Sequence, residues 1–492
     1  MRIDEYAAMD GVALAEAIAR RELAIAEVTE AALTAIARVN PVLNAVIEQY
    51  DDAFDETKLG HGPFRGVPYL VKDVGSHFKG RKVEYGSRLC EGLRSDSDDF
   101  FAKLVCRSGV NLVGRSNTPE FSMALCADNL LHGATSNPWR RGFSTSGSSG
   151  GAAAAVAAGL VPIAHASDMG GSTRGPAAWC GTVGLQPSRG RVSTGPDEDE
   201  HGNGMAQAFA VTRSMRDTAR MLDCLAVAQP GDPFVIARPA EPFTHCLNSR
   251  RRLRIGWSTA PLMAAPVDPE VAEAVKAAAQ ALSDAGHHVE EAVPQIDLPA
   301  IDEACLNIWY FGFDAWLDEL GRLAGRKVGP QTVGKATLKF YEFAKRQRPD
   351  DYHRALRALN GFRRAFGAFF TDYDAWLSPT CAQVAQENGR YGMDIDMPPE
   401  EFLTHEQRPC QFMIIYNIAG QPAISLPLAV HSNGLPIGVQ IGARHAEEDI
   451  LIELGSLLEE TMPWARRRPP LHVTQVSAVG ERSTLQAGHV CA

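Results

Sequence analysis

The stretch GFSTSGSSGGAAAAVAAG, residues 142–159, places serines and glycines directly before a run of alanines. Alanine has the highest helix propensity, and serine is favoured at the residue that caps the N-terminus of a helix. The stretch therefore predicts a loop that leads into a helix, with serines at the cap positions. A flexible glycine–serine linker is disfavoured because linkers rarely end in a helix cap.

Two other interpretations of this stretch need a β-strand immediately before it. A phosphate-binding loop would also carry a Lys-Ser/Thr pair, which is missing here. A Gly-x-Ser-x-Gly nucleophile elbow would make Ser149 the nucleophile and would need an acid and a histidine farther along the chain. The preceding residues, HGATSNPWRRGFST, are polar and interrupted by proline, and the contexts of His165, His431 and His445 recommend none of them as the base. Both interpretations are therefore disfavoured.

A second cluster of glycine and serine follows at residues 165–181, HASDMGGSTRGPAAWCG. A helix and the short strand-like segment LVPIAHA separate Ser148 from Ser172, so the two serine loops can fold back and meet. Lys72 ends the apolar run VPYLVK, where partial loss of hydration would lower the pKa of its amine. A neutral lysine accepts a proton, which makes Lys72 a candidate base for the two serines.

These motifs resemble the amidase signature family. The resemblance covers about residues 10–472, and the whole-length pattern is most similar to the branch of 6-aminohexanoate cyclic dimer hydrolases. The pair of glycine–serine clusters with a spaced lysine is highly specific. The matching segments are GVPYLVKDV at 66–74, GRSNTPEFSM at 114–123, GATSNPW at 133–139, SGSSGGAAAAVAAGLVP at 146–162, SDMGGSTRGPAAWCGTVGLQPSRGRVS at 167–193 and AGQPAISLPLAV at 419–430.

The resemblance implies a catalytic triad of Ser172, Ser148 and Lys72. Ser172 would be the nucleophile, Lys72 the general base, and Ser148 the serine that bridges them, with a cis peptide bond between Gly147 and Ser148. The oxyanion of the tetrahedral intermediate would lie next to successive backbone N–H groups, which can form a concave nest. These groups belong to Met169, Gly170, Gly171 and Ser172.

Four further residues are expected to support this site. Asp168 and Arg174 flank Ser172 and would hold the loops by hydrogen bonds rather than take part in the chemistry. Ser149 is expected to cap the following helix, and Gly147 supplies the peptide bond before Ser148. The mechanism implies no cofactor and no metal ion.

Alternating strand and helix patterns predict an α/β protein. GVPYLVKDV and GVNLVGRSN predict strands on either side of the helical pattern SDDFFAKLVCRS, and LRIGWST with a helical pattern over residues 268–285 adds another strand and helix. PAISLPLAV and LPIGVQIGA flank Asn433-Gly434, which predicts a β-hairpin. A helical pair opens the chain and is expected to end before Asn40-Pro41.

The resemblance implies a single large α/β/α domain, residues 1–472, with a central mixed, twisted β-sheet covered by helices. Within this domain, an aromatic-rich segment at about 298–410 is expected to form helices that cover a pocket. Residues 473–492 lack a periodic apolar face, so we expect them to form a mobile C-terminal tail.

The composition indicates a folded globular protein. Of the 492 residues, 48 are Lys or Arg and 59 are Asp or Glu, which gives a net charge of −11. This charge would repel nucleic acid and anionic lipid, and the longest run of small apolar residues is shorter than the roughly 20 residues of a membrane span. Ten cysteines without a Cys-x-x-Cys pair indicate neither a zinc site nor a disulfide framework. We expect a cytoplasmic protein without nucleic-acid or membrane partners, for which a homodimer is one possible assembly.

The expected function is hydrolysis of a non-peptide amide C–N bond through an acyl-enzyme. Four aromatic residues favour an apolar substrate, such as a linear or cyclic nylon-oligomer-like amide, an aryl amide or a carbamate, although core packing would explain them equally well. They are Trp309, Tyr310, Phe313 and Trp316. The alternative is the glutaminase component of a tRNA-dependent amidotransferase, which shares the signature and passes ammonia to a partner. A pure binding protein is disfavoured because it would leave the triad without a role.

Overall fold

The computed structural model describes residues 1–197 and 199–476. Eleven strands form one sheet, which confirms the predicted α/β class. In chain order the strands are β1 Val46–Gln49, β2 Pro68–Lys72, β3 Asn111–Ser116, β4 Ile163–Asp168, β5 Val183–Gln186, β6 Gln207–Thr212, β7 Arg254–Trp257, β8 His288–Glu291, β9 Ala375–Pro379, β10 Ala423–Val430 and β11 Pro436–Ala443.

The sheet is mixed, with the strand order β1-β3-β2-β4-β6-β5-β10-β11-β9-β7-β8. Strand β2 is parallel to β3 and to β4, and β7 is parallel to β8 and to β9. The other neighbouring strands are antiparallel. The predicted hairpin is confirmed as β10 and β11.

Helices cover both faces of this sheet. Every residue of β2, β6 and β11 is buried, and since successive side chains of a strand point to opposite faces, both faces must be covered. No helix of the described residues is long and apolar enough to cross a membrane. The helices are α1 Ile3–Ala8, α2 Gly11–Ala19, α3 Ile25–Leu43, α4 Phe100–Arg107, α5 Gly150–Ala157, α6 Arg174–Cys180, α7 Met215–Leu225, α8 Pro269–Asp284, α9 Asp302–Tyr310, α10 Phe313–Ala324, α11 Lys335–Ala344, α12 Pro349–Phe369, α13 Pro399–Cys410, α14 Ile414–Ala419 and α15 Glu448–Thr461.

Helix α5 contains the alanine run that follows the two glycines. All of its residues are buried, so the helix has no polar face to present to solvent. Small side chains let it pack closely against its neighbours, and the alanines contribute high helix propensity. The composition of this stretch therefore reflects a helix inside the protein rather than a linker on its surface.

The carboxyl ends of β2 and β4 lie at the same edge of the sheet because the two strands are parallel. Lys72 is the last residue of β2, and Asp168 is the last residue of β4. The glycine–serine segment that contains Ser172 begins directly after β4. This edge of the sheet therefore brings the candidate lysine next to the second serine cluster.

Two of the predicted elements differ from the observed ones. Helix α3 continues through Pro41 to Leu43, although the sequence predicts an end before Asn40. Proline removes the N–H that would bond to the carbonyl of Ala37, and Ala37 and Pro41 are both exposed, so water can solvate that carbonyl. The segment 298–410 also contains β9, whose five buried residues pair with β11 and β7. A short buried apolar run does not reveal from periodicity whether it is helix or strand.

The packed part of the chain also ends later than the predicted domain boundary at residue 472. Val473 is fully buried, and its N–H donates to the carbonyl of Ala158 at 2.9 Å. The packed part of the chain therefore extends beyond residue 472. Residues 477–492 of the predicted tail lie outside the described residues.

Candidate active site

Lys72 ends β2 inside the protein, where only 1% of its surface is exposed. Its Nζ lies 2.7 Å from Oγ of Ser148 and 2.8 Å from Oγ of Ser167. No carboxylate within the described residues forms an ion pair with it. The amine therefore contacts two hydroxyls and is itself almost inaccessible to solvent.

Burial lowers the pKa of Lys72 to about 7, against a weaker opposing effect of the negative charge of Asp168. Loss of hydration disfavours the charged ammonium, which is the physical cause of the shift. Near neutral pH, a substantial fraction of the lysine is consequently the free amine, which is able to accept a proton. This protonation behaviour fits a general base.

Ser148 reaches Lys72 from the loop before α5, and the peptide bond between Gly147 and Ser148 is cis, the conformation that the resemblance implies. Gly147 fits tightly against a neighbouring segment of backbone. A Cβ built on it would lie 2.0 Å from the carbonyl oxygen of Ala124 and 2.4 Å from that of Cys126. Only glycine fits at this position without moving the backbone.

Ser149 occupies the N-cap position of α5, but its side chain forms no capping hydrogen bond. The predicted cap is therefore wrong. Its Oγ instead donates to the carbonyl of Ser167 at 3.3 Å and accepts from the N–H of Ser167 at 3.2 Å. The backbone of Ser149, at ψ 34°, lacks the extended conformation typical of a capping residue. Its hydroxyl connects the loop before α5 to β4 instead.

Ser167 is a contact of Lys72 that the sequence did not reveal. Its hydroxyl contacts the lysine amine, and its backbone bonds to the Ser149 hydroxyl. A serine near the end of a strand carries no special pattern, so only its place five residues before Ser172 in the second cluster could have drawn attention to it.

Ser172 is half-buried and lines a cavity together with Ser148 and Gly147. The N–H of Ser149 donates to its carbonyl at 3.1 Å, which ties the two serine loops together. The structure thus brings Lys72, Ser148 and Ser172 to one place, and their catalytic roles stay predictions.

The backbone around Ser172 offers fewer free donors than the sequence implies. The N–H of Gly171 donates to Oδ1 of Asp168 at 2.7 Å, so this donor is already engaged. Within the described residues, the N–H groups of Met169, Gly170 and Ser172 have no acceptor. Gly171 itself has a φ of +125°, a conformation that favours glycine.

Asp168 and Arg174 form a fully buried ion pair, with Oδ1 of Asp168 2.9 Å from Nη2 of Arg174. Although burial by itself would raise the pKa of Asp168, the charge of Arg174 and the hydrogen bonds to the carboxylate lower it overall. The carboxylate also accepts from the N–H groups of Thr173 and Arg174 at the start of α6. The pair therefore holds the segment 168–174 that carries Ser172.

A cavity of about 440 Å³ opens beside Ser148 and Ser172. Its wall is mainly aromatic and aliphatic, which fits an apolar substrate. All four aromatic residues singled out from the sequence belong to this wall, as do residues of α13. The lining residues from the segment 298–410 are Ile308, Trp309, Tyr310, Phe311, Gly312, Phe313, Trp316, Phe402, Leu403, Glu406, Gln407 and Cys410.

His165 is the histidine nearest to the candidate lysine, but its surroundings do not suit a base. Its Nδ1 accepts the backbone N–H of Lys72 at 3.3 Å, and its ring lies 4.7 Å from that of Phe101. Burial, with a smaller effect of the Lys72 charge, lowers the pKa of His165 well below its ordinary value. It is therefore a neutral histidine of the core.

Asp73, Glu84 and His132 bring their ligand atoms within 4.8 Å of one another, as a metal site would. The guanidinium of Arg115, however, bonds to the carboxylates of both Asp73 and Glu84. A positive charge thus already pairs with both carboxylates of this cluster. The arrangement fits a buried ion-pair network next to β2 better than a metal centre.

Comparisons with known proteins agree with this arrangement. Residues 27–452 match the model of the family described as Amidase. A 6-aminohexanoate-cyclic-dimer hydrolase from Pseudomonas sp. (strain NK87) is 35% identical over 94% of this chain and 96% of its own length. A component of the glutamyl-tRNA(Gln) amidotransferase from Roseiflexus sp. (strain RS-1) is 31% identical over 93% of this chain and 97% of its own length.

Among solved structures, a 6-aminohexanoate cyclic dimer hydrolase complexed with substrate superposes with a TM-score of 0.90 at 33% identity. The match covers 94% of this chain and 99% of that one. The chain belongs to the amidase family.

Proposed function

We propose that this protein hydrolyses a non-peptide amide bond with Ser172 as nucleophile, Ser148 as proton relay and Lys72 as general base. The observation that carries the proposal is the 2.7 Å contact between Nζ of Lys72 and Oγ of Ser148, at the wall of a cavity that Ser172 also lines. A buried amine whose pKa is lowered to about 7 is matched to proton transfer near neutral pH.

The first half of the reaction forms an acyl-enzyme. The free amine of Lys72 takes the proton of Ser148, Ser148 takes the proton of Ser172, and Oγ of Ser172 attacks the carbonyl carbon. The resulting oxyanion accepts hydrogen bonds from the free N–H groups near Ser172. The removal of one such donor typically costs about 2.7–4 kcal/mol of transition-state stabilisation.

The same relay then works in reverse. The ammonium of Lys72 returns a proton through Ser148 to the departing nitrogen, so the C–N bond breaks and a neutral amine leaves. Water enters, gives a proton to the relay and attacks the acyl carbonyl. Cleavage of the acyl–Ser172 bond returns that proton to Oγ and releases the carboxylic acid.

The cavity supports an apolar substrate. Trp309, Tyr310, Phe313 and Trp316 line it, and such side chains favour aliphatic chains or rings over charged groups. We infer that the substrate is a linear or cyclic amide of the nylon-oligomer type, an aryl amide or a carbamate. The similarity to the cyclic dimer hydrolase supports the first of these classes.

The glutaminase alternative is less well supported by the cavity. Glutamine carries an α-carboxylate, which proteins usually bind with arginine or lysine. Within the described residues, neither arginine nor lysine lines the cavity. Release of ammonia from glutamine, together with copurification of a partner protein, would favour the alternative.

The proposal also includes a cytoplasmic location and assembly as a homodimer.

A fluorophosphonate probe tests the nucleophile directly. Peptide mapping should place the adduct on Ser172, and Ser172→Ala should abolish labelling. An adduct on Ser149 would instead favour the nucleophile elbow. A panel of anilides, esters, carbamates and short nylon oligomers then tests the activity, and no turnover with any of them would refute the proposal.

A further inference from the structure

Helix α13 contributes two polar side chains, Glu406 and Gln407, to the otherwise mainly apolar wall of the cavity. Phe402, Leu403 and Cys410 occupy the same face of the helix as Glu406 and Gln407. Residues spaced by three and four positions lie on one face of a helix. The polar pair is therefore part of the surface that encloses the substrate.

The side-chain amide of Gln407 has no hydrogen-bond partner within the described residues, at either its oxygen or its nitrogen. Only 4% of the residue is exposed. A buried amide that is left unpaired costs free energy, so such groups nearly always have partners. An unpaired amide in a cavity wall points to a ligand that completes its hydrogen bonds.

Glu406 adds a second group of the same kind. Its Oε2 accepts the N–H of Leu125 at 2.5 Å, while Oε1 has no partner within the described residues. No cation among the residues that the structure describes pairs with the carboxyl, and burial raises its pKa to about 8, against a weaker effect of the Leu125 hydrogen bond. Near neutral pH it is mostly a neutral carboxylic acid, which is able to donate as well as accept.

We propose that Gln407 and Glu406 form a second recognition site in the cavity, which binds an amide group of the substrate other than the one that is cleaved. A secondary amide offers one acceptor and one donor, which the unpaired polar atoms of Gln407 and Glu406 can satisfy between them. Among the described lining residues, a terminal carboxylate would meet neither arginine nor lysine. A terminal ammonium would leave the N–H groups of Gln407 unpaired. The site thus selects substrates with two amide groups. This inference rests on the proposed function.

Two matched series of 4-nitroanilides test this site. In one series the acyl chain contains an internal secondary amide, and in the other a CH2–CH2 unit replaces it at the same chain length. Release of 4-nitroaniline gives kcat/KM for both, over a range of chain lengths. The ratio of the amide value to the alkyl value reports recognition of the second amide, with the alkyl substrate as internal reference.

Gln407→Leu should lower this ratio by about tenfold or more at the best chain length, because it removes a hydrogen bond to the amide and leaves the amide group that it paired with unsatisfied. Gln407→Met fills similar space with a flexible apolar chain and should lower the ratio to a similar extent. It replaces the leucine variant in this test if the leucine variant does not fold. Gln331→Leu changes an exposed glutamine outside the cavity and should keep the wild-type ratio.

A ratio that changes less than about twofold in both Gln407 variants, at every chain length, would overturn the second site and leave Gln407 as a water-binding residue of the wall. If wild-type protein cleaves no anilide of either series and no other substrate of the panel, the proposed function itself fails, and the second site with it. The two failures are thereby distinguishable.

Discussion

The hydroxyl of Ser167 lies 2.8 Å from Nζ of Lys72, across two neighbouring parallel strands. Ser148 contacts the same amine from another direction at 2.7 Å. The lysine is thus held between one hydroxyl of the proposed relay and one hydroxyl outside it. We interpret Ser167 as a positioning residue that aims the amine at Ser148.

Ser167→Ala should lower kcat by about tenfold and leave KM nearly unchanged, because it removes a hydrogen bond to a group that becomes charged during the reaction. The midpoint of the pH–rate profile should also move to lower pH. A hydroxyl that accepts from the ammonium stabilises the charged form, so its loss lowers the pKa of Lys72 further. Steady-state kinetics over a range of pH measure both effects.

Ser167→Thr keeps the hydroxyl and should restore most of the activity. Ser283→Ala, at an exposed position near the end of α8, serves as the matched control and should behave like wild type. A Ser167→Ala profile with an unshifted midpoint would show that the hydroxyl does not act through Lys72.

Lys72 and Ser148 should act as one unit. Lys72→Ala and Ser148→Ala should each lower kcat/KM by at least about 10³-fold, and the double variant should be little worse than either, since groups that act together are strongly non-additive. The measurement is kcat/KM on one anilide for the two single variants and the double variant. Losses that multiply in the double variant would mean that the two residues act independently.

The activity should rise with pH through about 7 and then level off. The proposed mechanism requires the base form of Lys72. Burial lowers the pKa of Lys72 to about 7, so the protonated form, which we expect to be inactive, prevails at lower pH. Below the midpoint, log kcat/KM should increase with a slope of about one. A profile that is flat through neutral pH would show that no group with this pKa limits the reaction.

The sequence predicted the elements near the site well because they follow from local patterns. Lys72 closes an apolar run that does form β2, and the alanine run does form α5. Ser148 and Ser172 stand out through their glycine-rich surroundings. These signals depend on residues close to each other in the chain, and they also carry the family resemblance.

Other parts of the site depend on contacts between distant segments, which no local pattern reveals. Ser149 lies where a cap is expected, yet its hydroxyl bonds to Ser167 on β4. Glu406 and Gln407 occur in an ordinary helical segment, and only the fold places them in the cavity wall. Gly171 belongs to the predicted nest, but Asp168 engages its N–H. Each of these outcomes is decided by tertiary packing.

Gly147→Ala should both destabilise the protein and abolish most of its activity. The added Cβ would lie 2.0 Å from the carbonyl oxygen of Ala124, and a backbone atom cannot move away as the end of a side chain can. Overpacking of this kind typically costs about 1–3 kcal/mol or more, and any shift of the loop displaces Ser148 from Lys72. Thermal unfolding and kcat measure the two effects.

Gly367→Ala is the matched control, and thermal unfolding should show that it stabilises the protein. Gly367 lies inside α12 and is exposed, and a Cβ built on it meets nothing within 4 Å. Alanine should therefore raise the free energy of unfolding by about 0.5–1 kcal/mol, because it restricts the unfolded chain and favours the helix. If Gly147→Ala were as stable and as active as Gly367→Ala, the close approach of the Ala124 backbone to this loop would not constrain the position of Ser148.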